Sequence, residues 1–157
     1  EDRLYHPDAA SWFPDRHGSI PLLFPAGKAV VVLFNGMIIY HIARQIIISK
    51  RVDPNVISGA IAIYIIFGLF AAEINLIIAH YDPGAFNGIT DPADPGELRY
   101  FTYVNMTTTG FGDITPNSRI SRAASVFFSL AGQIYLAVII AYIVGKYVAH
   151  SDRKNKA

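Results

Sequence analysis

Three apolar stretches dominate this chain and limit what it can fold into. They cover residues 29–49, 56–80 and 120–149. Each is long enough to cross a hydrocarbon core, which takes about 20 residues of α-helix. Within lipid, a helix satisfies its own backbone hydrogen bonds, so helices are the expected form. With 52% hydrophobic and only 16% charged residues, the sequence predicts an all-α membrane protein with three transmembrane helices.

The first of these stretches carries the weakest signal. Polar side chains interrupt it at Asn35, His41, Arg44 and Gln45. A buried amphipathic helix is the alternative, but we expect a spanning helix whose polar groups face other helices. Arg44 alone does not make a voltage sensor, because such a sensor needs a series of charges.

The charges of the connecting segments predict an orientation. The turn at residues 50–54 and the tail after residue 150 are basic, whereas residues 81–99 are acidic and rich in glycine and proline. Short basic segments are retained on the cytoplasmic side of a membrane. We therefore expect a cytoplasmic C-terminus and an external loop at 81–99.

Four segments follow from this arrangement. Residues 1–28 form an external or membrane-surface segment, and residues 29–55 an accessory transmembrane helix with its cytoplasmic turn. Residues 56–150 hold two spanning helices around a loop, and residues 151–157 a cytoplasmic tail. Because the external N-terminus carries no signal-peptide pattern, it is open whether earlier helices precede this chain.

The segment at residues 94–116 is too short to span, yet it begins like a helix. Asp94 can be the N-cap, Pro95 suits the first helical position, and Glu97 stands where a capping box needs it. A half-helix over about 98–107 follows. We expect a re-entrant helix that enters the membrane and returns.

The string after this half-helix reads Thr-Thr-Thr-Gly-Phe-Gly-Asp at residues 107–113. β-Branched residues favour a stiff, extended backbone, and glycines allow positive φ. If right-handed and left-handed backbone conformations alternated along this string, successive carbonyl oxygens would point to the same side. Four such strands around an axis would form rings of oxygens able to replace the hydration shell of a cation. The negative end of the half-helix would favour that cation in the cavity below.

Thr-Thr-X-Gly-Phe-Gly-Asp between two spanning helices resembles the pore loop of potassium channels, whose usual form is Thr-Val-Gly-Tyr-Gly-Asp. The resemblance covers about residues 56–149 and is strongest to prokaryotic channels with a two-helix pore and to animal two-pore-domain channels. It implies a selectivity filter, an ion channel pore domain at 56–150 and a homotetramer that conducts K⁺ passively. It also implies an integral protein of a bacterial inner (plasma) membrane.

Residue by residue, the resemblance implies four carbonyl ligands for K⁺ and an outer mouth at Gly112. The Thr108 hydroxyl would also close the innermost site. The four ligands are Thr108, Thr109, Gly110 and Phe111.

Two departures from the family's string concern the support of the filter. Thr109 replaces a valine or isoleucine, so its hydroxyl needs a partner behind the filter. Phe111 lacks the usual tyrosine hydroxyl, and Phe101 stands in place of a supporting tryptophan, so apolar packing is expected there. Asp113 is expected to accept a hydrogen bond from Tyr100.

The third spanning helix contains the residues expected to line the cavity and to bend. Gly132 is expected to be a hinge, with close helix packing as the alternative. Gln133, Leu136 and Ile140 share one helical face and are expected to line the cavity.

Glu73 is an intramembrane carboxyl in the second spanning helix and therefore a functional candidate. It is expected to accept a hydrogen bond near Thr102 or Asn105 of the half-helix, or to sense pH. The alternative is a carboxyl that reaches the lipid headgroups.

The remaining sequence features argue against other classes of function. The five histidines are dispersed, there is no cysteine, and no nucleophile–base pair occurs, so we expect no enzyme and no cofactor besides permeant K⁺. A net charge of +1 gives no reason to expect nucleic acid, and the expected partners are identical subunits and membrane lipid. The alternatives are a non-selective cation channel, an ion transporter, and a non-conducting channel-like subunit of a larger assembly.

Overall fold

The computed structural model describes residues 23–49, 54–91 and 94–154. Four helices and two short strands follow one another in these ranges: α1 Leu23–Ile48, α2 Pro54–Tyr81, β1 Phe86–Asn87, α3 Pro95–Met106, β2 Thr115–Pro116 and α4 Arg119–Lys154. The predicted external segment before residue 23, the basic turn at 50–53 and the tail after residue 154 lie outside the described residues.

Within the described ranges, three helices are long and apolar enough to cross a membrane, namely Ala26–Ile48, Pro54–Tyr81 and Arg119–Gly145. The all-α membrane architecture with three spanning helices and a short helix between the last two is thereby confirmed. The first helix begins earlier than predicted, at Leu23. Lys28, which the sequence assigned to the external segment, is therefore part of α1.

The three spanning helices pack together at the end of the molecule away from α3, which we call the far end. Their cluster is built on Ile46 of α1 and on Val56, Ala60 and Ile63 of α2, all buried, with α4 side chains packed against it. Tyr142 of α4 donates a hydrogen bond to the Ile46 carbonyl at 3.1 Å. Elsewhere the helices present large apolar side chains outward, as lipid-facing surfaces do.

The short helix α3 lies against α2 and α4 at the opposite end, the loop end. The Tyr103 ring occupies the space beside Gly68, where a Cβ atom would overlap it. Its hydroxyl donates to the Ile65 carbonyl at 2.6 Å. Ala71 of α2, Met106 of α3 and Phe128 of α4 are buried and join these three helices in one cluster. A small residue on α2 thus lets α3 approach closely.

A two-stranded antiparallel sheet covers the loop end. Phe86 pairs with Pro116 and Asn87 with Thr115, so the segment before α3 is bonded to the segment after it. Beneath the sheet lies an apolar cluster of Ala85, Phe86, Leu98, Phe101 and Ile114. Both ends of the 107–113 string are thereby attached to buried structure.

The start of α4 is fixed by a reciprocal pair of serines. The Ser118 amide donates to the Ser121 hydroxyl oxygen at 3.0 Å, and the Ser121 amide donates to the Ser118 oxygen at 3.2 Å. This is the bonding of a capping box with a second serine in place of the acidic residue. The Ser121 hydroxyl also donates to the Ala85 carbonyl at 2.7 Å, which joins α4 to the loop before β1.

Candidate functional site

The re-entrant helix α3 starts as predicted. Asp94 is its N-cap, with a side-chain oxygen accepting the Gly96 amide at 2.7 Å, and Pro95 opens the helix. Glu97, however, does not close a capping box with Asp94. Its carboxylate accepts the amides of Thr90 at 2.8 Å and Asp91 at 3.1 Å, together with the Thr90 hydroxyl.

Glu97 therefore fastens the preceding loop to α3. The hydrogen bond from the Thr90 hydroxyl is the main reason that the pKa of Glu97 lies below its ordinary value, and the two backbone amides act in the same direction. The carboxylate form is the one that all three donors need.

The segment after α3 begins by satisfying the helix's own C-terminal carbonyls. The Thr107 amide donates to Tyr103 at 2.9 Å, and the Thr108 amide to Asn105 at 3.0 Å. The Thr109 and Gly110 amides both donate to Val104, at 3.0 and 3.3 Å. In a planar trans peptide the carbonyl is directed opposite to the following amide. The carbonyls of residues 107–109 therefore point away from α3. They lie toward the exposed side of the string, which we call its open side.

Positive φ recurs at every second residue of this segment. The values are 60° at Thr108, 58° at Gly110 and 79° at Gly112. The sequence predicts positive φ for the two glycines, and the structure adds Thr108. Within the described ranges Thr108 is the one non-glycine residue with positive φ, a conformation that costs a β-branched residue energy and that concentrates at functional sites.

The threonine hydroxyls divide between the two sides of the segment. The Thr109 hydroxyl lies 2.9 Å from that of Thr107, which in turn donates to the Tyr103 carbonyl at 2.8 Å. Thr109 thus has the partner behind the string that its hydroxyl was predicted to need. The Thr108 hydroxyl donates to the Thr107 carbonyl at 2.6 Å, which leaves the lone pairs of its oxygen able to face a cation.

Asp113 ends the segment and is held from two sides. The Tyr100 hydroxyl donates to Oδ2 at 2.7 Å, and the Ile114 amide donates to Oδ1 at 3.0 Å. The predicted Tyr100–Asp113 bond is therefore present. It is also the main reason that the pKa of Asp113 lies below its ordinary value.

The aromatic support of Phe111 differs from the prediction. The Tyr100 ring stacks with the Phe111 ring, with centroids 6.4 Å apart and planes 5° from parallel. Phe101, which the sequence placed in the supporting role, is buried and meets the Phe86 ring edge to face at 5.3 Å. One tyrosine thus supports both Phe111 and Asp113, while Phe101 anchors the helix in the loop-end cluster.

Gly132 and Gln133 both meet the last carbonyl of α3. A Cβ atom on Gly132 would lie 3.4 Å from the Met106 methyl and 3.5 Å from its carbonyl oxygen, so Gly132 serves close packing within an α4 that is helical from Arg119 to Lys154. The Gln133 amide donates to the Met106 carbonyl at 2.8 Å. Tyr64 of α2 donates to the same oxygen at 3.2 Å.

Among the residues expected to line a cavity, Gln133 therefore turns its side chain toward the end of α3. Leu136 is half-buried and Ile140 is exposed. A cavity role for these two residues remains a prediction, as does a hinge at Gly132.

Glu73 has partners that differ from those predicted. Its buried carboxylate pairs with Lys28 of α1 at 2.7 Å and with Arg99 of α3 at 3.3 Å. The Thr102 hydroxyl, predicted to bond Glu73, instead accepts from the Asn75 amide at 2.9 Å and donates to the Leu98 carbonyl at 2.7 Å.

Sequence reasoning overlooked several residues that place the segment. Gly68 admits the Tyr103 ring, Tyr64 bonds the end of α3, and Gly88 has φ of 86° with a Cβ position that would overlap the Asp113 carbonyl oxygen. A glycine within an apolar helix and a glycine in a loop are weak signals on their own. Their importance depends on which backbone lies opposite.

Comparison with known proteins agrees with this geometry. The family described as "Ion channel" matches residues 56–149, which include α2, α3, the 107–113 string and most of α4. The chain therefore belongs to this ion channel family and is an integral membrane protein. The potassium-channel pore unit of two spanning helices around a re-entrant helix, which the sequence resembles, is confirmed as its class.

Two curated plant proteins are similar over a shorter stretch. "Two-pore potassium channel 2" and "Two-pore potassium channel 3" of Arabidopsis thaliana are each 40% identical over 45 residues, which is 29% of this chain and 10% of each plant protein. No solved structure matches the chain.

Proposed function

We propose that the chain is a subunit of a homotetrameric, potassium-selective channel that conducts K⁺ passively. Residues 108–112 would form the selectivity filter. The main observation behind this proposal is that positive φ recurs at every second residue, at Thr108, Gly110 and Gly112. This alternation, combined with amides that point back to α3, supports a row of carbonyl oxygens on the open side of each strand.

The proposed stoichiometry rests on the exposure of this string. Residues 107–113 are exposed in the single chain, and the Phe111 side chain is 68% exposed although it is large and apolar. One strand supplies one quarter of each oxygen ring, whereas four strands around an axis would complete the rings that replace a hydration shell. Assembly would also bury Phe111.

The choice of K⁺ rests on the hydrogen bonds that hold the string and on the likeness of 45 residues of the chain to two plant proteins named as potassium channels. Thr109, the main departure in sequence, is held behind the string by Thr107, so its hydroxyl is turned away from the proposed ion path. The filter would need no cofactor and no catalytic group, because the permeant ion is itself the ligand. The C-terminus would face the cytoplasm, and the bacterial inner membrane is the proposed location.

A reconstituted flux assay tests this function. Purified protein in liposomes should pass K⁺ down its gradient, be blocked by barium, and show a reversal potential near that of K⁺ in mixed K⁺ and Na⁺. Equal permeation by Na⁺ would instead indicate a non-selective channel, and no flux from assembled tetramers would indicate a non-conducting subunit.

Two glycines give this assay a matched pair of variants. Gly110→Ala forces an L side chain onto φ of 58° and should abolish K⁺ selectivity, whereas Gly36→Ala, in open space within α1, should conduct normally. Native mass spectrometry of the wild-type protein gives the subunit number.

Orientation has its own test, since the chain contains no cysteine. A membrane-impermeant maleimide should label Asn87→Cys in intact cells and Ala157→Cys only after permeabilisation. The reverse pattern would overturn the proposed topology.

A further inference from the structure

Helix α1 precedes the part of the chain that the ion channel family matches, at 56–149, yet it contacts both ends of the pore unit. At the loop end its Lys28 pairs with Glu73 of α2, which also pairs with Arg99 of α3. At the far end its Ile46 carbonyl accepts a hydrogen bond from Tyr142 of α4.

The loop-end contact is a bridge through one carboxylate. Oε2 of Glu73 accepts a hydrogen bond from the Lys28 ammonium at 2.7 Å, and Oε1 accepts one from the Arg99 guanidinium at 3.3 Å. The Glu73 side chain is 7% exposed, against 20% for Lys28 and 42% for Arg99. Only the carboxylate at the centre of the bridge is buried, and removing it would take away the one charge with which both cations pair here.

This bridge lies one residue from the support of the string. Arg99 is followed by Tyr100, which bonds Asp113 and stacks with Phe111. A displacement of Arg99 along or around α3 would therefore displace Tyr100 as well, because a helix moves as a rigid element. Through Glu73, the position of α1 is coupled to the outer support of the proposed filter.

The far-end contact joins α1 to the helix that would line the pore. The Ile46 carbonyl is among the last four of α1, which have no partner within the helix, and Tyr142 supplies a donor at 3.1 Å. Ile46 itself is buried between α2 and α4. Beside it, Gly59 lets Ile42 approach, with a Cβ position 3.3 Å from the Ile42 methyl.

We infer that α1 is a modulatory helix that holds α3 and α4 together in the conducting arrangement, with Glu73 as its positioning residue. This inference rests on the proposed channel function. One rigid helix with polar anchors at both ends links the support of the filter to the far end of the pore-lining helix. A change in α1 at either anchor therefore biases the equilibrium between conducting and non-conducting states.

Single-channel recording in planar bilayers tests the role of α1. Glu73→Gln keeps the shape and removes the charge, and Lys28→Met and Tyr142→Phe each remove one anchor. Each should shorten mean open time by about fivefold or more, the lower range of couplings between sites in proteins, while leaving the K⁺/Na⁺ reversal potential unchanged. Leu33→Ala, at a side chain 73% exposed on α1, is the matched control and should record as wild type.

A double variant shows whether two residues act through one contact. If Lys28 acts through Glu73, Lys28→Met should have little further effect in the Glu73→Gln background. Additive effects would overturn the bridge as the route of coupling.

The outcomes separate this inference from the proposed function. Wild-type protein that passes no K⁺ contradicts the channel itself. Wild-type conduction with unchanged open times in Lys28→Met and Tyr142→Phe tetramers overturns the role of α1 alone. Should Glu73→Gln fail to assemble, these two variants decide the question, since neither removes the carboxylate that Lys28 and Arg99 share.

Discussion

The Tyr100 hydroxyl donates a hydrogen bond to Asp113 at 2.7 Å while the ring of the same tyrosine stacks with Phe111. One side chain of α3 therefore holds the last two non-glycine residues of the 107–113 string. In the proposed tetramer this contact would stand behind the outer mouth of the filter, where it would resist collapse of the oxygen rings.

Replacing Tyr100 by Phe keeps the stacked ring and removes only the hydrogen bond. We expect K⁺ currents that decline faster during sustained opening, with the K⁺/Na⁺ reversal potential unchanged, because the carbonyl ligands are untouched while Asp113 loses a donor. Current decay in patches of proteoliposomes measures this effect. Tyr40→Phe, at a ring 63% exposed on α1, is the control, and identical decay in both variants would contradict the role of the bond.

The same hydrogen bond predicts how conduction depends on external pH. Tyr100 lowers the pKa of Asp113 from its ordinary value of 3.8. The stabilisation by the carboxylate is therefore fully present above pH 3.8 and is lost as pH falls through the lowered pKa. Wild-type current should persist at pH 3.8, and current in Tyr100→Phe should fall at a higher pH than in wild type. Superimposable titrations of the two proteins would refute this assignment.

Gly88 is expected to be essential for the loop end of the fold. Alanine there would need φ of 86° and would place its Cβ against the Asp113 carbonyl oxygen. The strained backbone alone costs about 1–2 kcal/mol, and relieving the overlap requires the end of the string to move. Thermal unfolding in detergent should show a lower midpoint for Gly88→Ala.

Gly84 provides the matched control within the same loop. Its Cβ position lies at an ordinary contact distance, 3.7 Å from the Asp82 carboxylate, and its φ is not positive. Gly84→Ala should therefore unfold near the wild-type temperature. An equal loss of stability in the two alanine variants would show that the position of the string does not depend on Gly88.

Features that depend on neighbouring residues in the chain were predictable from the sequence. The spanning lengths, the Asp94 cap, the positive φ of Gly110 and Gly112, and the bond from Tyr100 to Asp113 all follow from local composition or from the resemblance of a short motif. Hydropathy and backbone sterics act on each segment separately, so the sequence alone is sufficient to predict these features.

Features that depend on helix rotation and depth were not predictable in the same way. One of the alternatives for Glu73 was a bond near Thr102 or Asn105, but its carboxylate pairs with Lys28 and Arg99. Gln133 was expected to line a cavity, and its bond to the Met106 carbonyl at the end of α3 was not foreseen. Successive side chains of a helix point about 100° apart. The partners of Glu73 and Gln133 are therefore determined only when the helices pack against one another.

The Met106 carbonyl provides the last prediction, because two helices donate to it. Gln133 of α4 bonds this oxygen at 2.8 Å and Tyr64 of α2 bonds it at 3.2 Å. Gln133→Leu or Tyr64→Phe alone leaves one donor in place, and each should cost about 1 kcal/mol of stability, the usual net value of a hydrogen bond. The double variant leaves a carbonyl at the end of α3 without either donor and should cost more than the sum.

Chemical unfolding in detergent of the wild-type protein, the two single variants and the double variant measures this coupling. Ile134→Leu, at a position 61% exposed on α4, controls for substitution beside Gln133. Strict additivity would mean that the two hydrogen bonds to the Met106 carbonyl act independently of each other. A positive coupling would show that the end of the re-entrant helix is held jointly by both spanning helices of the pore unit, so that movement of either one is transmitted to the first residue of the string.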